Sequence, residues 1–236
     1  NVLVITDVSV MIAKVIKLGE EIAKARGIDF FFGFPAPISF GGFIKAGYHA
    51  VGSFDMALRI INPFLLHPNL TNTIDPIDFS WTGVHKNNKT ITPIVDKDYI
   101  DWRYHRNPKQ YHIITYAQNQ ETASFVVRQT RYYNKKYKIS FSEIHLLDFF
   151  PNSLNQTFLK EALRHLDSVF SRRAVWIKTF FNRETERGRA LSHHFKINFK
   201  SRGPTLIYKK INPELDENIF MNLNHWDIFP HVMDSY

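Results

Sequence analysis

The stretch Phe30–Tyr48, FFFGFPAPISFGGFIKAGY, decides the fold because it joins a wholly apolar strand to a short helix through one Gly-Phe-Pro turn. The strand is predicted over Ile28–Phe34, and its lack of polar alternation is typical of a strand covered by helices on both faces. Pro35 ends the strand, Pro37–Ala46 suits a short helix, and Gly47 forms the next turn. The passage is therefore predicted to serve both as core and as the wall of a site.

Outward from this stretch, the first half reads as strand, helix, strand, helix, strand. Residues Val2–Val10 are β-branched and apolar, which favours a buried strand. Apolar residues at helical spacing predict an amphipathic helix over Met11–Arg26, which Gly27 ends. Ala50–Ile61 is predicted as a further strand. This order predicts an α/β layer with a right-handed parallel crossover.

The second half is predicted to repeat this order after a proline-rich connector. The predicted strands are Tyr111–Ala117, Thr122–Arg131, Tyr137–Phe150, Val175–Phe181 and Thr205–Ile211, and the helices are Ser153–Phe170, capped by Asn152 or Ser153, and Arg183–Phe195. We therefore expect two copies of one α/β unit with a mixed sheet. Residues 1–62 form the first, partial unit, 63–96 the connector, 97–213 the second unit, and 214–236 a C-terminal tail.

Composition excludes several classes of function. The 236 residues are 44% hydrophobic and 22% charged, which is ordinary for a soluble globular protein. There is no cysteine, so disulfides, thiolate metal sites and a cysteine nucleophile are excluded. The net charge of +8 permits an anionic partner, although a solvated basic surface explains it equally well. No uncharged apolar run is long enough to predict a membrane span.

Two short motifs carry a family resemblance. Gly33-Phe34-Pro35-Ala36, followed by FIKAGY, and Trp102-Arg103-Tyr104 resemble the GFPN-like and WRY motifs of tandem proteins in the GNAT acyltransferase superfamily. The resemblance covers most of the chain. It implies a transferase that moves an acetyl group from acetyl-CoA to an amine on a small metabolite or amino sugar. It also implies a cytoplasmic protein that needs neither a metal nor a membrane.

The resemblance implies a cofactor site between two splayed strands, predicted here at Ile5–Val10 and Ile28–Phe34. Splayed strands leave backbone groups unpaired, and the pantetheine arm of acetyl-CoA pairs with them as an added strand would. Val8, Ser9 and Val10 match that position, and Phe34 and Ser39 would complete the cofactor wall. The N-terminus of the following helix would receive the pyrophosphate, and the amide near Val10 the oxyanion.

Two of the catalytic residues that the resemblance implies are missing from this sequence. The positions of the expected Asn and Tyr hold Ala36 and Phe43, whose side chains exchange no proton. Asp7, Tyr48 and His49 remain as candidate bases, although Asp7 also suits a strand edge or a helix cap. The glycine-rich pyrophosphate loop that the family carries before the first helix is missing too. Either this sequence lacks residues of the full polypeptide, which we expect, or the N-terminal half has lost cofactor binding.

Trp102, Arg103 and Tyr104 are predicted either to contact the acceptor substrate or to anchor the two units to each other. In the second half, PNSLNQT has neither glycine nor arginine, so the second unit is predicted to be a structural or substrate-shaping copy. Asn182 matches the family's Asn position but also suits a helix N-cap.

Three further features leave alternatives open. The segment Arg128–Lys138, RQTRYYNKKYK, mixes bases with aromatics as nucleic-acid surfaces do, but it also suits two strands around an NKK turn. We therefore do not expect a nucleic-acid partner in general. The exception is tRNA, because the second enzyme hypothesis is Fem-like transfer of an aminoacyl group from a charged tRNA. A catalytically inactive GNAT-fold binding or scaffold module is the third. His193 and His194 are adjacent on a predicted helix and diverge by about 100°, so no metal site is expected.

Overall fold

The computed structural model describes residues 8–64, 90–106 and 111–229, with the side chains of residues 8–13 excepted. The strands are β1 (Phe30–Gly33), β2 (His49–Ser53), β3 (Asp55–Ile60), β4 (His112–Gln118), β5 (Glu121–Asn134), β6 (Ile139–Pro151), β7 (Trp176–Phe181), β8 (Ile197–Phe199) and β9 (Thr205–Lys210). The helices are α1 (Val8–Ala25), α2 (Pro37–Lys45), α3 (Lys97–Ile100), α4 (Gln156–Phe170), α5 (Glu186–Ser192) and α6 (Glu217–Phe220). A π-helical turn over Asp101–His105 follows α3, and a 3-10 turn over Leu223–His225 follows α6.

The strands form two sheets, and the fold is of the mixed α/β class, as predicted. A three-stranded sheet has the order β1-β9-β2, and β9 runs antiparallel to both neighbours. A six-stranded sheet has the order β4-β5-β6-β7-β3-β8. Its one parallel pair among the described strands is β6 with β7. Helix α4 joins these two strands, because parallel neighbours require a long crossover connection.

The two halves of the chain exchange strands. The predicted strand Ala50–Ile61 is two strands, which separate at the fully buried Phe54. Strand β2 stays with β9, whereas β3 crosses to the large sheet and pairs with β7 and β8. Phe54 holds the crossing point, since its amide donates to Pro204 and its carbonyl accepts from Gly203. Each sheet thus contains strands from both sides of the boundary predicted at residue 62.

The predicted first strand is wrong where the structure describes it. Val8, Ser9 and Val10 form the first turn of α1, so their amides are not those of an extended strand. Val8, Ile12 and Val15 are spaced i, i+4 and i+7 in sequence, and this helical period overrides the β propensity of valine. The predicted parallel partner of β1 is wrong as well, because β1 pairs antiparallel with β9.

The second half matches its prediction closely. Strands β4, β5 and β6 form an antiparallel meander, and α4 then packs its apolar stripe on the large sheet. Asn155 caps α4, accepting from the amides of Thr157 and Phe158, which shifts the start of the helix from the predicted Ser153. Arg59 of β3 donates through Nη2 to Asp167 of α4 at 2.6 Å. This ion pair fixes the exchanged strand to the second half of the chain.

Candidate functional site

A cleft of about 400 Å³ opens at the turn after β1, where the two sheets meet. Its walls come from that turn, from the end of β7 and from the loop before β9, and they consist of Pro35, Pro37, Phe40, Phe180, Arg202, Gly203, Pro204 and Thr205. The lining is mostly apolar with a single cation, and the volume lies in the range of small-molecule sites. The cleft is the candidate site, and the Gly-Phe-Pro turn forms one wall of it.

Gly203 and the exchanged strand shape the floor of the cleft. A Cβ placed on Gly203 would lie 2.7 Å from the carbonyl oxygen of Phe54, so only glycine allows this close approach. Ser53 and Thr205 hydrogen-bond through their hydroxyls at 2.8 Å beside it. The crossing point of the two halves therefore also builds the site.

The predicted cofactor residues of this turn lie near the cleft but not on its walls. Phe34 is edge-on to Phe54 at 5.1 Å between ring centroids, so it belongs to the core of the small sheet. The Ser39 hydroxyl donates to the carbonyl of Ala36 at 3.0 Å, inside the first turn of α2. Phe40 and Pro37, which the sequence did not single out, form the wall instead.

The predicted bases Tyr48 and His49 lie at the opposite end of α2 from the cleft. The nine residues of α2 separate them from Pro37 by roughly 13 Å along the helix. Tyr48 is buried against Phe43, and burial together with Glu20 raises the pKa of its phenol to about 12. Tyr48 is therefore protonated at neutral pH. His49 is exposed at the start of β2, and Asp7 lies outside the described residues.

The three substrate candidates point to different environments. Trp102 is 64% exposed, whereas Tyr104 is buried and its hydroxyl donates to Asp148 of β6 at 3.4 Å. Arg103 is half-buried between them and lowers the pKa of Tyr104, which burial and Asp148 raise well above the usual value. The described contacts of Tyr104 stay within the second half of the chain and do not reach the first predicted unit. They lead to a second, internal feature.

Strands β6 and β7 diverge after a short parallel contact, leaving what we call the β6–β7 gap. They pair only from Ile144 to Leu146 and from Ile177 to Thr179. A bulge in β6 follows at once, because Leu146 and Asp148 pair with consecutive residues of β5. A bulge bends a strand away from its neighbour. The divergence predicted for the first half of the chain thus occurs in the second.

The β6–β7 gap is filled by the protein's own side chains. The Thr179 hydroxyl donates to the carbonyl of Leu146 at 3.0 Å. Arg187 of α5, 2% exposed, donates through Nη1 to the carbonyl of Phe149 at 2.7 Å. Its Nε and Nη2 donate to the carboxylate and the carbonyl of Asp227 at 3.1 and 2.9 Å. Two backbone carbonyls at the gap, those of Leu146 and Phe149, are therefore satisfied by side chains of the protein itself.

The segment Trp226–Phe229, part of the predicted tail, is buried between the two sheets. Trp226 and Ile228 belong to the core of the small sheet, while Phe229 belongs to the core of the large one. Asn182, just past β7, donates to the carbonyls of Leu223 and Trp226 at 2.6 and 2.9 Å. Asn182 thus holds this segment rather than capping α5, whose N-cap is Thr185.

Asp148 and Asp227 bring two carboxylates to Arg187. Burial raises the pKa of Asp148 to about 6, against the opposing effect of Arg187, whose Nη1 lies 3.7 Å from its Oδ1. Two buried carboxylates around one guanidinium carry an excess negative charge, and a raised pKa relieves it. The cluster was missed from the sequence, because its members lie on β6, α5 and the C-terminal segment with no local motif.

Comparisons with known proteins find similarity among solved structures. No family model matches the chain, and no curated protein matches it in sequence. Among solved structures, it is similar to a GCN5-related N-acetyltransferase from Anabaena variabilis ATCC 29413, with a TM-score of 0.47 and 12% identity. The superposition covers 85% of this chain, which spans half the length of that structure.

The described residues contain neither a metal-binding cluster nor a membrane-spanning helix. No group of three or more histidines and carboxylates in the described ranges is arranged to hold a metal ion. No described helix is both long and apolar enough to cross a membrane.

Proposed function

We propose that the protein is an acyl-CoA-dependent N-acyltransferase that transfers an acetyl group to an amine on a small metabolite or amino sugar. In this proposal the first half of the chain holds acetyl-CoA along the outer edge of β1, and the second half is structural. The observation that carries it is the contrast between two sites: the β6–β7 gap is filled by Arg187 and Asp227, whereas β1 has one edge without a partner among the described strands.

The outer edge of β1 offers the backbone groups that such a cofactor needs. The amide of Ile211 donates to the carbonyl of Asp29, which fixes the hydrogen-bonded pairs of the β1–β9 ladder. Because hydrogen-bonded and non-hydrogen-bonded pairs alternate, Phe30 and Phe32 turn their N–H and C=O groups outward. A pantetheine arm carries amides that pair with such an edge as an added strand does.

Two neighbouring features suit the remaining parts of the reaction. The cleft at the turn after β1 has the size for an acyl acceptor, and Arg202 supplies a cation for an anionic group. The N-terminus of a helix favours an anion, so the pyrophosphate is assigned in this proposal to the first described turn of α1. The role of base stays a prediction for Asp7 or His49. The Tyr48 phenol, with its pKa near 12, suits the donation of a proton better than its removal.

Calorimetric titration of the full chain with acetyl-CoA tests this proposal. Phe32→Pro removes an outward amide without removing a hydrogen bond to β9, and the control Phe32→Leu keeps that amide. We expect saturable binding that weakens at least ten-fold in Phe32→Pro and less than three-fold in Phe32→Leu. Absence of both binding heat and thermal stabilisation in the unaltered protein would refute the proposal.

A second candidate function is a catalytically inactive binding or scaffold module with a GNAT-like fold. The filled β6–β7 gap favours it, and so do Ala36 and Phe43 at the positions where proton-transferring residues were expected. Release of free coenzyme A in the presence of a panel of amines, measured with a thiol reagent, separates the two. Turnover above the uncatalysed rate excludes the inactive module.

A further inference from the structure

Strands β5 and β6 continue beyond the large sheet as a two-stranded ribbon, formed by residues 130–134 and 139–143. Strand β4 accompanies β5 only as far as Val127, and β7 accompanies β6 only from Ile144. Past these points the two strands pair with no other described strand, although the amide of Val175, just before β7, still donates to the carbonyl of Ser142. At about 3.3 Å per residue the ribbon is roughly 17 Å long, and its last three residue pairs, from Tyr132 and Phe141 onward, lie beyond that bond.

The two faces of the ribbon differ. On one face Tyr132 contacts Phe141 at 5.0 Å between centroids, and Phe141 contacts Trp176 at 4.8 Å, so these rings partly cover each other and Tyr132 is 48% exposed. On the other face Tyr133 stands opposite Ser140. Because serine is small, the Tyr133 ring has no cross-strand cover and is 56% exposed. Tyr137, in the turn at the tip, is 62% exposed.

Beyond Glu143 at its base, the ribbon carries cations and no anion. Between Glu121 and Glu143 the sequence has no Asp or Glu. The exposed cations at this end of the molecule are Arg131, Lys135, Lys136 and Lys138 on the ribbon, with Arg172 and Arg173 on the turn after α4. None of them has a carboxylate partner in the part of the chain that the structure describes, so this surface is electrostatically unbalanced.

The carboxylate of Glu143, at the base of the ribbon, already has hydrogen-bond partners. It accepts from Trp176 Nε1 at 2.8 Å and lies 2.6 Å from His145 Nε2. These hydrogen bonds lower the pKa of Glu143 to about 2, with His145 making the largest contribution. The turn carrying Arg173 is joined to the ribbon because its carbonyl accepts from Gln129. The cations of the turn and of the ribbon therefore form one surface.

We infer that the ribbon face with Tyr133, together with the tip at Tyr137, binds a single-stranded segment of nucleic acid. Open tyrosine rings stack on unpaired bases of any identity, and the surrounding lysines and arginines contact the phosphates. A duplex keeps its bases stacked internally and leaves the rings without a ligand. A solvated basic hairpin explains the lysines and Tyr137, whose ring centroid lies 5.2 Å from Lys136 Nζ, but not the exposed ring of Tyr133. This inference does not depend on acyl transfer.

Fluorescence anisotropy with a labelled 16-nucleotide RNA of mixed sequence, in 50 mM and 200 mM salt, tests the inference on the full chain. Lys135→Gln/Lys136→Gln/Lys138→Gln removes three ribbon charges. The matched control Lys160→Gln/Lys196→Gln/Lys200→Gln removes three exposed charges elsewhere. We expect the ribbon triple to weaken binding at least ten-fold and to reduce the salt slope by about two. The control should stay within three-fold of the unaltered protein.

Stacking has its own pair of variants. Tyr133→Ser removes the ring and is expected to weaken RNA binding about five-fold or more without changing the salt slope, whereas Tyr133→Phe keeps the ring and should bind normally. Thermal melts confirm that both variants fold. Equal or tighter binding to a duplex of the same sequence, binding only to anionic phospholipid vesicles, or no binding in 50 mM salt would each overturn the inference.

Discussion

Replacing Arg187 with methionine removes the cation that fills the β6–β7 gap while keeping an unbranched side chain of similar length. Arg187 is 2% exposed, and three of its nitrogens donate to Phe149 and Asp227. The variant leaves the carboxylates of Asp148 and Asp227 buried without this counter-ion. Breaking a buried ion pair from one side costs about 3–5 kcal/mol. For a chain of this size the expected loss of melting temperature is roughly 6–20 °C.

The pH dependence of this loss identifies its cause. Arg187 lowers the pKa of Asp148, which burial raises to about 6, so Arg187→Met raises that pKa further. Below pH 6 the Asp148 carboxyl then takes up a proton, so one of the two negative charges beside the lost guanidinium disappears. The melting temperature should therefore fall more at pH 8 than at pH 5.

Differential scanning calorimetry at both pH values measures this effect. Arg189→Met is the matched control, since Arg189 lies on the same helix but is exposed. The control should change the melting temperature by less than about 2 °C, as surface substitutions do. If Arg187→Met lowered the melting temperature at pH 8 by less than about 2 °C, as the control does, the reasoning would be refuted. An equal loss at pH 5 and pH 8 would refute it as well.

Two other substitutions test neighbouring features. Burial raises the pKa of Asp148 from 3.8 to about 6, so the native state binds the proton more tightly and loses stability as the pH rises from 4 to 7. Asp148→Asn removes this dependence, and its free energy of unfolding relative to the unaltered protein should rise by about 2.4 kcal/mol over that range; a constant difference contradicts this assignment. A Cβ on Gly188 would lie 1.8 Å from the carbonyl oxygen of Asn182, so Gly188→Ala should lower the melting temperature sharply, whereas Gly41→Ala, with open space around it, should not.

Local structure was predictable from the sequence because its causes are local. The helical spacing around Ile16 and Ala23 predicted α1, although the β-branched residues before it led to a strand prediction for residues that begin the helix. The alternating pattern of β4 and β5 and the QNQE turn predicted their hairpin, and a long apolar stripe predicted α4.

Long-range pairing was not predictable, because the pattern of a strand does not identify its neighbours. Nothing in DMALRI indicates that β3 leaves β2 at Phe54 and joins the other sheet. The segment Trp226–Phe229 gave no strand signal, because Trp226 and Ile228 serve one core and Phe229 another. A segment buried on both sides lacks the apolar and polar alternation of a half-buried strand.

In the candidate site, too, the local part was predictable from the sequence and the long-range part was not. The Gly-Phe-Pro turn was identified from the sequence and forms a wall of the cleft. Phe180 and Arg202 come from distant parts of the chain and reach the cleft only through the exchanged strand and the loop before β9. No spacing in the sequence brings these residues together, so the opposite wall was invisible before the structure.

Amide hydrogen exchange of the full chain, with and without saturating acetyl-CoA, tests the central claim most directly. That claim places acetyl-CoA along the outer edge of β1 and excludes it from the filled β6–β7 gap. It predicts slower exchange in peptides that cover Phe30–Gly33 and the first turn of α1, and unchanged exchange around Phe149 and Asn182. Protection at Phe149 and Asn182 without protection of β1 would contradict the claim.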